Sequence, residues 1–296
     1  MRNIVLCLSA LSIIAISCRR ENPVMPHLYE EGELRIQVIH PSAATKVSST
    51  AFESGDRIGL FVTSYDGETA PPLQISGNWA NNISTAYDGT SWIPDKKIFW
   101  ADGKMDVYGY YPYMPLISVD EQPFTIAVDQ TTPENGENPG GYEASDLLWA
   151  KASGVSSDDN NAQVTLPFKH IMSKLVVKLV KGPDYQGVFP EEGELYIHSL
   201  VPAAHVDLAR GEAIKDPFGA VQVIRARQVS ADTFEAIIVP QRLATRLPFL
   251  EYIANGVSFL FEDSFNFRTG VQYTLNLTIN ANPDQIAIEI GGETTW

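Results

Sequence analysis

The sequence predicts an all-β protein built of stacked sandwiches, and three observations carry that expectation. Short alternating or apolar runs recur along the body of the chain, separated by segments rich in Gly, Pro, Asn and Asp. Long apolar stripes at helical spacing, with caps at their ends, are absent. The run from Val271 to Ile279 alternates without a fault. Val271, Tyr273, Leu275, Leu277 and Ile279 take one face, and Gln272, Thr274, Asn276 and Thr278 take the other. A sheet with one buried face requires that pattern.

The chain opens MRNIVLCLSALSIIAISC: an early Arg, an apolar run from Ile4 to Ile16, then Ser17-Cys18. The run is short for a bilayer, which takes about 20 apolar residues, and has the form of a secretory signal. A small residue followed by Cys looks like a bacterial lipoprotein signal. Residues 1–17 are therefore expected to be removed and Cys18 to be lipidated, with several acyl chains giving a stable outer-membrane anchor. The only other cysteine is Cys7, inside the signal. The exported body thus uses neither disulfides nor thiolate metal sites. Residues 18–33 read as a linker. A formal charge of −15 excludes nucleic acid as a partner.

Strands are expected, in order, at LRIQVIH (34–40), RIGLFVTS (57–64), KKIFW (96–100), KMDVYGYY (104–111) and FTIAV (124–128). After these come 170–180, ELYIHSLV (194–201), VQVIRARQV (221–229), FEAIIV (234–239), VSFLFE (257–262), VQYTLNLTIN (271–280) and QIAIEI (285–290). A dozen short strands over this length fit two sandwiches better than one barrel, divided as 34–168 and 169–296. The stretch VTLPFKHIMSKLVVKLV (164–180) fits two patterns. At helical spacing, Met172, Leu175, Val176 and Leu179 form a stripe headed by His170. At a period of two, Ile171, Ser173, Leu175, Val177 and Leu179 lie opposite His170, Lys174 and Lys178. Pro167 and the β-branched Val176, Val177 and Val180 favour strand over 170–180.

The search for catalytic chemistry is empty. The chain has no G-x-S-x-G elbow, Walker loop, G-x-G-x-x-G or H-E-x-x-H. Histidines 27, 40, 170, 198 and 205 show no metal-ligand spacing, and His170 is expected to make a structural hydrogen bond. No enzyme, cofactor or metal is therefore expected. The oxygen-rich segment 129–146 lacks the D-x-D-x-D-G regularity of a calcium loop and reads as a flexible loop. Trp92, Trp100 and the tyrosines 108, 110, 111 and 113 are expected in the core. Trp79, in the loop-like GNWANN, is the candidate ligand contact.

The ordered segments FESGDRIGLFV (52–62), KKIFWADGKMDVYGYYPY (96–113), DLLWA (146–150), VTLPFKHIMSKLVV (164–177), FEAIIVPQ (234–241) and FRTGVQYTLNLTI (267–279) resemble the fimbrillin family. These are lipoprotein pilins akin to the Mfa-like group. The resemblance implies two tandem transthyretin-like β-sandwich domains. It also implies a surface fimbrial subunit that assembles with other subunits by strand donation and supports adhesion to host or bacterial surfaces. The alternative is a surface lipoprotein that binds glycan or host protein without polymerising. The candidate removable strand carries Leu34, Ile36 and Val38. The candidate donor is the C-terminal run with Ile286, Ile288 and Ile290 on one face. Family members are cleaved after an arginine in the loop that follows the first strand. Here that loop, PSAATKVSST (41–50), offers only Lys46. This departure suggests either a different protease or an uncleaved anchor, tip or accessory subunit.

Overall fold

The structure, a computed structural model, describes residues 29–41, 52–136, 138–158 and 162–296. The expected signal segment, Cys18, His27 and Lys46 lie outside the described residues. Twenty strands are present among those described. The first ten are β1 (Arg35–Ile39), β2 (Arg57–Ser64), β3 (Ala80–Tyr87), β4 (Trp92–Pro94), β5 (Met105–Tyr111), β6 (Gln122–Thr125), β7 (Leu148–Val155), β8 (Gln163–Pro167), β9 (Lys169–His170) and β10 (Ser173–Lys181). The remainder are β11 (Glu194–Leu200), β12 (Ala203–Asp207), β13 (Glu212–Lys215), β14 (Gln222–Arg225), β15 (Arg227–Ser230), β16 (Thr233–Ile238), β17 (Arg242–Ala254), β18 (Val257–Asn266), β19 (Val271–Ile279) and β20 (Ala287–Thr295). The all-β expectation holds.

The strands form five sheets. A six-stranded sheet runs β4-β3-β2-β5-β7-β9, and a five-stranded sheet runs β15-β16-β10-β19-β20. A four-stranded sheet (β14-β11-β17-β18), a three-stranded sheet (β13-β12-β6) and the pair β1-β8 complete them. The fault-free alternation of β19 buries Tyr273, Leu275, Leu277 and Ile279, as its pattern requires. The sheets of β19 and β11 contribute to one large apolar cluster. Strands β2, β5 and β7 are buried on both faces. Ile58, Leu60, Met105, Val107, Leu148 and Ala150 face a second, smaller cluster, and Phe61, Tyr108, Tyr110 and Trp149 join the large one. This explains why β2 and β5 read as nearly continuous apolar runs. Pairings β6–β12 and β9–β7 carry backbone hydrogen bonds across position 168/169.

Several strand expectations are corrected. KKIFW (96–100) is not a strand: it makes one isolated bridge, Glu33 with Phe99. The strand expected at 124–128 sits at Gln122–Thr125. The run 170–180 breaks at Ile171-Met172, where the chain leaves the six-stranded sheet at β9 and enters the five-stranded one at β10. Both residues are fully buried at the crossing. VQVIRARQV divides at Ala226 into β14 and β15, which belong to different sheets. The last strand starts at Ala287 and runs to Thr295, beyond the expected 285–290. Strands β3, β4, β7, β8, β12, β13 and β17 were not expected. Polar ANNISTAY hides β3, and β17 contains Pro248 and two register irregularities, so neither shows clean alternation. Segment 129–146 is anchored at its two ends, while residues 131–136 are exposed. Gln130 reaches both the N–H and the carbonyl of Ile237 at 2.8 Å, and Ser145 and Tyr142 are buried.

One buried charge stabilises the six-stranded sheet. Asp106 on β5 is 1% exposed, lies 2.9 Å from Lys151 Nζ, and accepts hydrogen bonds from Tyr65 and the Gly154 N–H. Burial pushes its carboxyl up, but Lys151, Gly154 and Tyr65 outweigh burial and hold it below the usual range.

Candidate functional site

The features that bear on function gather around the two chain ends. Strand β1 runs parallel to β8, with Ile36 beside Val164 and Val38 beside Leu166. Its N-terminal approach is held on the other side: the Leu34 N–H donates to the Ile98 carbonyl at 2.8 Å, and the Trp100 N–H to the Gly32 carbonyl at 3.0 Å. At its far end Phe168 N–H donates to the Ile39 carbonyl at 2.9 Å. Leu34 and Ile36 are buried in the smaller cluster among Ile58, Leu60, Val164 and Leu166, and Val38 packs against it half-buried. Alternate residues Arg35 and Gln37 are exposed. Each fully buried aliphatic side chain stabilises by about 1.5–3 kcal/mol, so β1 is a tightly fitted strand.

The C-terminal strand β20 is the last strand of its sheet, paired on one side with β19. Ile288 lies across from Leu277 and Ile290 across from Leu275. The three isoleucines do not all pack. Ile286 precedes the strand, and it and Ile288 are half-buried against the large cluster, whereas Ile290 is 65% exposed. A register shift that skips Gly291 follows Ile290, and a bulge of this kind bends an edge strand locally.

His170 connects the two ends. It is buried, with Nδ1 2.8 Å from Asp146 Oδ1. The ring of Trp296, the last residue, stacks on it at 3.7 Å and 6°. His40, just beyond β1, approaches it edge-on at 6.3 Å and meets Phe52 at 4.8 Å. Burial, helped by His170 and opposed by Asp146, pushes the His40 imidazole down to about 4. Gly270 seats the stack: its N–H donates to the Met172 carbonyl and its carbonyl accepts the Trp296 N–H. It holds φ +65°, and a Cβ there would lie 2.9 Å from the His170 carbonyl, so only glycine fits without a shift. The motif F-x-H is thus a structural junction, with His170 oriented by a carboxylate as its expected hydrogen bond requires.

Trp79, the candidate ligand contact, is 53% exposed, and its Nε1 donates to the Phe99 carbonyl at 2.7 Å. With Asn81, Lys96, Lys97 and Phe99 it borders a hollow of about 290 Å³. Trp92, Tyr108 and Tyr110 are core residues, as expected, but Trp100 and Tyr111 are only partly buried and Tyr113 is exposed. Among the described residues no group of His, Cys, Asp and Glu is arranged to hold a metal. His198 is instead 2.9 Å from Glu251. Sequence reasoning missed Trp296, because a terminal aromatic carries no periodic signal.

The sequence profile of the fimbrillin-like family matches residues 45–295. The chain belongs to the fimbrillin-like family. Over 184 residues it is 29% identical to a candidate fimbrium tip subunit, Fim1C, of Bacteroides ovatus. That match covers 56% of this chain and 32% of the relative, about a third of its length. Two solved structures share the fold, both described as candidate cell adhesion proteins. One, from Bacteroides ovatus, has a TM-score of 0.66 at 19% identity and covers 89% of this chain and 96% of that one. The other, from Bacteroides uniformis, has a TM-score of 0.65 at 18% identity and covers 90% and 99%.

Proposed function

We propose that this fimbrillin-like protein is a structural or accessory subunit of surface fimbriae, joined to its neighbours by β-strand donation and supporting adhesion. The observation that carries this reading is β1. Among the described residues it is a short strand paired along its length only with β8, and it fills an apolar groove with Leu34 and Ile36. Its removal leaves a groove lined by unpaired backbone and apolar pockets, which a strand of another subunit satisfies by β-augmentation. Strand β20 suits the donor role: it lies at a sheet edge, and its apolar face is only partly buried. In the same reading the chain forms two tandem transthyretin-like sandwiches, 34–168 and 169–296. Cys18 anchors it to the outer membrane, and cleavage near Lys46 frees β1.

The test is to cleave the purified chain in segment 41–50 and add a synthetic peptide of residues 285–296. The peptide is expected to displace β1 and stay bound, while the same peptide carrying Ile288→Asp is not. A cleaved chain that stays monomeric and ignores the peptide overturns strand donation. Cys18→Ala is expected to abolish metabolic labelling with palmitate, and undiminished labelling removes the anchor from the reading. A second reading, a surface lipoprotein that binds glycan or host protein without polymerising, draws on the half-exposed Trp79.

A further inference from the structure

The Trp79 hollow differs from the other aromatic groupings of the molecule. Most aromatic rings of the molecule pack inside the cores, whereas here two lie together with Trp79 and Phe99 keeping 53% and 40% of their surface exposed. The bond from Trp79 Nε1 to the Phe99 carbonyl fixes the indole, so a ligand that stacks on it orders no free side chain. The loop beneath is fixed too: Asn78 donates from its backbone and side-chain nitrogens to Asn81 Oδ1 at 2.9 and 2.8 Å, and from its side chain to the Gln74 carbonyl at 2.6 Å. A hollow of about 290 Å³ lies at the lower end of ligand sites and suits a single small ring. Its lining sets two aromatic residues beside Asn81, Lys96 and Lys97. A sugar ring fits that chemistry, with its C–H face on the indole and its hydroxyls towards the amide and ammonium donors.

The charges narrow the class. Lys96 and Lys97 stand side by side at the aromatic hollow. Their acidic neighbours are already engaged. Asp95 is held by Arg57 at 2.8 Å, and Lys97 Nζ lies 2.7 Å from Glu30 and 3.5 Å from Glu33. Both glutamates belong to the segment that leads into β1, and the Glu33–Phe99 bridge ties that segment to the hollow's wall. A carboxylate supplied from the removable part of the chain thus occupies the cation that a ligand carboxylate needs.

We propose that the Trp79–Phe99 hollow binds a carboxylate-bearing sugar, and that Glu30 and Glu33 compete for Lys97 until the β1 segment leaves. The gating half rests on the strand-exchange reading; the site itself does not. The test uses the full chain labelled with ¹⁵N, titrated with D-glucuronic acid and with D-glucose while the Trp79 indole N–H signal is followed. Glucuronate is expected to shift that signal saturably at millimolar concentration, with glucose weaker. Glu30→Gln tightens glucuronate about two- to fivefold, the range of an exposed ion pair. Trp79→Ala abolishes the response to both sugars, and Lys97→Ala, checked for an unchanged fold by its ¹⁵N spectrum, removes the preference for the acid. No saturable shift by either sugar in the wild type or in Glu30→Gln overturns the site. Equal binding of the two sugars overturns the acidic class, and unchanged affinity in Glu30→Gln overturns the gating. Because Glu30→Gln acts in the uncleaved chain, a β1 that never dissociates defeats strand exchange without touching this result.

Discussion

His40 and Asp106 are two titratable residues whose environments push them down for different reasons, and they respond to acid in separate windows. The folded value of His40, about 4, lies below its ordinary 6.5, so the unfolded chain takes up that proton first as pH falls. The neutral ring therefore contributes stability fully above about pH 6.5, and this is lost progressively towards pH 4. The midpoint of thermal unfolding is expected to fall between pH 7 and 4, and His40→Leu, which keeps an apolar contact for Phe52, should shrink that fall. An identical pH profile in the variant removes His40 from the account. Asp106 acts lower. Its folded carboxyl is held below 3.8, so its contribution persists above that value and is lost only on further acidification. Asp106→Asn, which takes the charge from a carboxylate facing Lys151 and two hydrogen-bond donors, is expected to cost about 1–3 kcal/mol in denaturant unfolding at neutral pH.

At the scale of elements, the two end strands are held differently. Strand β1 is retained by buried aliphatic side chains, and β20 chiefly by its ladder with β19 and by the terminal Trp296 on His170. Trp296→Ala is expected to increase amide exchange along β20 more than along β10 or β19, measured by hydrogen–deuterium exchange; uniform loss of protection across the sheet contradicts a local latch. The central pair β2–β5 offers a packing test. Gly59 pairs with Tyr110, whose ring lies where a Cβ would stand. Gly59→Ala forces that ring off its bonds to Asn82 and the Met114 carbonyl. A loss of about 1–3 kcal/mol is expected from overpacking, and Tyr110→Leu in the same chain should recover part of it. Elements with clean alternation, such as β19 and β1, were legible from residue spacing. Those such as β3 and β17 were not, because their polar residues, Pro248 and register shifts break the period that spacing arguments use.

On the scale of the whole molecule, the two cores bear on the strand exchange proposed above. Both faces of β2, β5 and β7 are covered, so the six-stranded sheet keeps its large-cluster face when the β1 side opens. Chain cleaved in segment 41–50 and stripped of β1 is therefore expected to retain far-UV circular dichroism while binding a hydrophobic dye; complete unfolding on stripping shows instead that β1 is an obligatory core strand. The residues alone determined the all-β class, the inward faces of β1 and β19, the family, the absence of a recognisable catalytic motif and the structural role of His170. Those properties follow from period, propensity and short motifs, which are local. Only the tertiary structure decided that β1 lies parallel to β8, that 170–180 crosses between sheets at Ile171-Met172, that Ile290 faces solvent, and that Trp296 closes on His170. Pairings of strands distant in sequence depend on which apolar faces cover one another, and residue spacing carries no record of that choice.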